Sequence, residues 1–116
     1  MLEQLISDLL PDHLPKTIGD LPSTNTNAVA IILFNGAANL EYFQYDTTYR
    51  PVLKIVVRNN SYEVAQQQIS DIRNALHKHS DDNFQSIFMQ GYPVYLGRDE
   101  QKLHEFQVVF NLQVKE

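Results

Sequence analysis

Between Glu105 and Lys115 the chain settles into a period of two. Phe106, Val108, Phe110, Leu112 and Val114 fall on one side of an extended backbone, and Glu105, Gln107, Asn111, Gln113 and Lys115 on the other. Successive side chains of a strand point to opposite faces, so this pattern predicts one long strand with a single buried face. Such a strand needs neighbours to pair with and helices or a second sheet to cover it. Its opening turn, Gly97-Arg98-Asp99-Glu100, sets three charges side by side.

The rest of the chain supplies those neighbours. Leu2, Leu5, Ile6, Leu9 and Leu10 recur at helical offsets, which predicts a helix over residues 1–10 stopped by Pro11. Residues 11–27 hold three prolines, a glycine and polar turn formers, and read as an extended loop. Loops of that length are usually functional or order against a partner, so deleting Pro15 to Ser23 is expected to impair assembly more than folding. The apolar run "AVAIILFNG" reads as a buried strand and turn, and "PVLKIVVRN" as a strand with Leu53, Ile55 and Val57 on one face. Between them "LEYFQYDTTYR" is aromatic and β-prone but irregular. Tyr62, Ala65, Ile69, Ile72 and Leu76 form a helical stripe, with Asn60 or Ser61 as its cap and Glu63 placed to serve a capping box from Asn60. "FQSIFMQGYPVYLG" reads as a strand bent at Gly91 and Pro93. The order α-β-β-(β)-α-β-β predicts an α+β fold, an antiparallel or mixed sheet of four to five strands flanked by two helices. At 116 residues it forms a single domain, 1–116.

Composition removes several function classes. A net charge of −5 leaves no basic face for phosphate binding. There are no cysteines, hence no disulfide framework and no thiolate chemistry. No apolar run reaches the ~20 residues of a membrane span, and the start lacks the basic region of a signal peptide, so the chain reads as complete, soluble and untargeted. His77 and His79 are two apart, an offset that separates them on a helix, so no metal site is expected. The acid pairs Asp81-Asp82 and Asp99-Glu100 lie in turns, and no glycine-rich phosphate loop or nucleophile elbow is present. No catalytic residue and no cofactor is expected. Tyr42, Phe43, Tyr45 and Tyr49 crowd into eight positions, where two readings stand: aromatics of the chain's own sheet, or a surface completed by a neighbouring subunit.

The segments "YRPVLKIVVRNNSYEVAQQQISDIRNAL" and "YPVYLGRDEQKLHEFQVVFNLQV" together resemble the minor capsid and tail-terminator proteins of tailed bacteriophages and prophages, which complete the tail and join it to the head. The resemblance rests on Arg50-Pro51 opening a strand that ends in Arg58, and on Ser61-Tyr62 opening a helix with Ala65 on its buried side. Pro93, Leu96-Gly97-Arg98-Asp99 and a long closing strand follow in order. It implies a structural protein, not an enzyme, found in the virion neck or tail and in the host cytoplasm during assembly. It further implies a homo-oligomeric ring, usually a hexamer, that caps the tail tube, halts its polymerisation and docks the head connector, with DNA passing through the lumen and no membrane contact.

A ring needs two different patches that meet on adjacent copies. The candidates are the terminal strand from Phe106 to Val114, the aromatic segment with Tyr42 and Tyr45, and the turn Arg98, Asp99, Glu100, which can pair with Arg50 or Arg58 of a neighbour. Arg98 closing its own hairpin through Asp99 is the alternative. From a different class, a small ligand-binding domain or enzyme would gather polar groups around Tyr95, His104 and Glu105. Another neck or head-completion protein is a third reading.

Overall fold

A computed structural model describes residues 2–19, 27–34, 51–98 and 103–114. The elements run α1 (Leu2–Leu9), β1 (Lys16–Ile18), β2 (Ala28–Phe34), β3 (Val52–Asn59), α2 (Tyr62–Leu76), β4 (Phe84–Met89), β5 (Val94–Arg98) and β6 (His104–Val114). The six strands form one mixed sheet in the order β1-β2-β3-β6-β4, with β5 also paired to β6. The expected mixed sheet with two helices is present, with more strands than the four to five predicted.

One extra strand comes from the segment read as a loop. Lys16–Ile18 pairs in parallel with β2, Thr17 opposite Ala30. Two side chains hold it there. Leu14 is buried at 3% exposure, and the Lys16 ammonium donates to the Ser7 and Leu10 carbonyls at 3.0 and 3.4 Å. The Ser7 carbonyl also accepts from the Leu10 N–H at 3.2 Å, and a cation at that end of α1 suits both the remaining acceptor capacity and the dipole. Turn formers surround the strand, and only its tertiary contacts mark it as one.

The other extra strand comes from the bend. β4 and β5 lie end to end along the same edge of β6, antiparallel to it. Met89 is opposite Phe110 and Val94 opposite Gln107, so residues 90–93 stand across from Val108 and Val109 alone. The surplus is expelled at Gly91, whose φ of 69° suits glycine, and leaves Tyr92 80% exposed. The Gln90 N–H to Val109 carbonyl bond, 2.7 Å, keeps both halves in one ladder.

The long terminal strand is therefore not an edge. β6 is paired with β3 from His104 to Asn111 on one side and with β4 and β5 on the other. This overturns the expectation that Phe106 to Val114 offers an open ladder to a neighbour. Eleven residues are needed because one strand must carry two shorter ones end to end.

The core lies between the helices and one sheet face. Val29, Ile31, Leu53, Ile55, Val57, Phe106, Val108, Phe110 and Leu112 share that face, opposite Ile6 and Leu10 of the α1 segment and Ala65, Ile69, Ile72 and Leu76 of α2. The predicted stripe of α2 is buried except for Tyr62, which is 41% exposed. Ser61 is the cap, its hydroxyl accepting from the Val64 N–H at 3.4 Å. Glu63 then sits at the wrong offset for a capping box and remains an acid of the first turn. Asn59, 3% exposed, fixes the entry: its carbonyl oxygen accepts from the Ser61 N–H, and its amide donates to Asn27 at 2.8 Å. "LEYFQYDTTYR" lies outside the described residues.

Candidate assembly surfaces

Of the expected interface residues, Arg58 and Arg98 fall within the described structure. Arg50, Asp99, Glu100, Tyr42 and Tyr45 lie outside the described residues. Arg58 stands on the sheet face away from the helices, directly across from Glu105. Its Nε and Nη2 each reach Glu105 Oε2 at 3.1 Å, with the two side chains only 14% and 20% exposed. The guanidinium is thus engaged within its own chain, where a cross-strand pair fixes the register of β3 on β6. Arg98 closes β5 opposite His104, exposed, and among the described residues it has no ion-pair partner. The two arginines flank β6 about 10 Å apart, two strand spacings, on opposite faces.

Tyr95 and His104 do meet. The phenol oxygen lies 2.7 Å from His104 Nδ1. Tyr62 stacks edge-on against Tyr95 with centroids 5.2 Å apart, and Phe106 lies 5.0 Å from Tyr95. Glu105 does not join them, because the alternation turns it to the other face, where it binds Arg58. Two of three polar groups therefore converge, on a half-open aromatic patch.

The sequence reading missed where apolar surface is exposed. Phe88, Tyr92, Val94, Tyr95 and Leu96 are 41% to 80% exposed, and all sit on the β4–β5 edge. The signal is present in "GYPVYLG": an apolar run without alternation, bracketed by glycines, cannot bury both faces on an edge strand. Leu96 is itself the extra residue of a second bulge, between Tyr95 opposite Phe106 and Gly97 opposite Glu105. On the far flank of α2 lies an open groove of about 330 Å³, lined by His13, Glu63, Val64, Gln67, Gln68 and Asp71.

The histidines each have separate work. His77 caps α2, and its Nδ1 accepts from the Met89 N–H at 3.0 Å, tying the helix end to β4. His79 Nε2 lies 2.8 Å from Asp81 Oδ2, and Asp81 Oδ1 accepts from the Asn83 and Phe84 N–H groups. The hydrogen bond from His79 foremost holds the Asp81 carboxyl below its usual value; burial opposes it, and the two amides add to the lowering. His13 is exposed, 3.7 Å from Asp71. No cluster of three metal-ligating side chains exists among the described residues. No helix among them is long and apolar enough to cross a membrane.

Fold and surface define a small sheet-and-helix domain whose distinctive features lie on its edges and flanks. The family model described as bacteriophage tail terminator protein matches residues 4–116, nearly the whole chain, and the chain belongs to that family. No curated protein matches it. The family is a structural one of phage virions, not an enzyme family, and membership places the chain among proteins that act by contact with other tail and head components.

Proposed function

We infer that the chain terminates the tail by forming a homo-oligomeric ring, with six copies expected, on the head-proximal end of the tail tube. The ring stops tube polymerisation and presents the surface to which the head connector docks. The observation that carries this reading is the asymmetry of the sheet. One edge, β4–β5, concentrates exposed apolar side chains, whereas the other is the short β1. Unlike patches on opposite sides of one molecule suit head-to-tail contacts that close into a ring. The net charge of −5 is consistent with a lumen that DNA traverses without specific binding. Arg98 and the residues after it, Asp99 and Glu100, are the proposed contacts on the β5 side; Arg50, Tyr42 and Tyr45 remain proposed partners.

Light scattering after size exclusion, over a range of protein concentration, tests this directly. The expected result is a ring-sized species, alone or on addition of purified tail tubes, with tubes capped at one end. A chain that stays monomeric and leaves tubes uncapped defeats the reading.

A further inference from the structure

The edge of β4 that faces away from β6 is closed by the chain itself. Where α2 ends, residues 77–81 run back along β4. The Lys78 N–H donates to the Ile87 carbonyl at 2.7 Å, the Ile87 N–H to the His79 carbonyl at 3.1 Å, and the Asp81 N–H to the Phe84 carbonyl at 2.9 Å. His79 and Ile87 form an antiparallel bridge, a register that sets residue 77 across from Met89. There the accepting group is a side chain: the Met89 N–H donates to His77 Nδ1 at 3.0 Å. The His77 N–H is turned back into the helix, to the Arg73 carbonyl at 2.8 Å. Lys78 is held at a φ of 67°, in the left-handed region that an L side chain enters only where its surroundings impose it. Residues 77–81 are thus a clasp on an edge strand, and a closed edge does not recruit further strands.

The two ends of the clasp answer to acid in opposite ways. An imidazole nitrogen accepts an N–H only through its lone pair, and a protonated ring carries hydrogen on both nitrogens. The Met89 bond therefore exists only while His77 is neutral, with its proton on Nε2. His79 is the reverse case. Its Nε2 lies 2.8 Å from Asp81 Oδ2, and a charge on that ring turns the hydrogen bond into an ion pair. Asp81, held below its usual value by this contact foremost, stays ionised while imidazoles titrate. The charged groups about His77 are Arg73 one turn back, Lys78 and the His79–Asp81 pair. β4 brings the Phe88 ring, with centroids 5.9 Å apart, and Met89, neither of them charged. We propose that residues 77–81 form a clasp that opens at one end in acid: protonation of His77 releases the Met89 N–H, while charged His79 grips Asp81 and keeps the other end on β4. The freed donor lies beside the bulge at Gly91 and the exposed Tyr92, so the middle of the β4–β5 edge gains a site for a further strand. This does not depend on how the chain assembles.

Hydrogen exchange of the wild-type amides, read by NMR and corrected for the intrinsic rate at each pH, tests this at about pH 8 and about pH 5, either side of the ordinary imidazole value of about 6.5. Long-range proton–nitrogen spectra on the same samples report the protonation of each histidine ring. The His77 ring is expected to be neutral and protonated on Nε2 at the higher pH, and doubly protonated at the lower. Met89 protection is expected to fall roughly fivefold between the two, as one net hydrogen bond is worth, with Ile87 protection unchanged. In H77Q the side-chain carbonyl accepts at either pH, and Met89 protection is expected to stay flat. Met89 protection that holds while the His77 ring gains its charge overturns the proposal. So does a ring still neutral at the lower pH, or the same loss in H77Q as in the wild type. Equal losses at Ile87 and Met89 also overturn it, since the whole segment then leaves β4. Where H77Q does not fold, the wild-type comparison of Met89 with Ile87 and the ring spectra decide alone.

Discussion

At the scale of single residues, position in the alternation decides what a charge does. Arg58 and Glu105 were legible as outward-facing residues of two strands, but their pairing needs the register of β3 on β6, which no periodicity reveals. Because both side chains are largely covered, Arg58→Ala is expected to destabilise by about 1–3 kcal/mol, with a coupling to Glu105→Gln of about 1 kcal/mol in a double-mutant cycle. Chemical denaturation checks this, and a cycle with no coupling removes the pair from the fold's support. Asp81 offers a test in pH. Its carboxyl titrates lower in the folded chain than in the unfolded one, so the stabilisation is present above the unfolded value near 3.8 and fades as pH falls through the folded value. Asp81→Ala is therefore expected to lose about 1 kcal/mol at pH 7, much as a lost cap does, with the difference from wild type shrinking below about pH 4. Melting curves at the two pH values report it.

Elements were legible in proportion to how much of their cause is local. The α2 stripe, the β3 face and the β6 alternation each predict their own burial, because 3.6- and 2-residue periods survive in the sequence. β1 was not legible. Three residues among turn formers acquire strand geometry only because Leu14 is buried beside them, the Pro15 carbonyl accepts from the Val29 N–H, and Lys16 ends α1. The consequence adds a folding cost to a deletion expected from the sequence to impair assembly more than folding. Deleting Pro15 to Ser23 removes β1, the 2.9 Å bond to Val29 and the 2.8 Å bond from the Gly19 N–H to the Ile31 carbonyl. At about 1 kcal/mol for each net hydrogen bond, the loss is expected to reach 2 kcal/mol or more, seen as a melting temperature lowered by several degrees. Lys16→Met, which keeps the strand but releases the Ser7 and Leu10 carbonyls, should cost only about 1 kcal/mol. A deletion variant that melts like its parent shows that β1 adds nothing to the fold.

For the whole molecule, the sheet's edges matter more than its centre. The eye is drawn by the longest and most regular strand, yet regularity is what a central strand needs: β6 has partners on both sides and a core on one face. The β5 edge is irregular, with two bulges, a glycine at φ 94° and apolar groups left exposed, and under the proposed ring it is the part that answers to a neighbouring copy. These two roles separate in mutants. Ile55→Ala, at 0% exposure, leaves a cavity in the core and should cost about 2–5 kcal/mol of folding stability. Leu96→Ser and Tyr92→Ser remove surface already in water, so their folding cost should stay within about 0.5 kcal/mol. If β5 is a subunit contact, truncating an anchor there costs about 2 kcal/mol or more of association, a shift of roughly thirtyfold in the assembly concentration. Denaturant melts and concentration-dependent light scattering on the same samples read the two energies independently. Stable Leu96 and Tyr92 variants with wild-type assembly would move the contact off this edge, whereas stable variants that no longer assemble tie the exposed apolar edge to association.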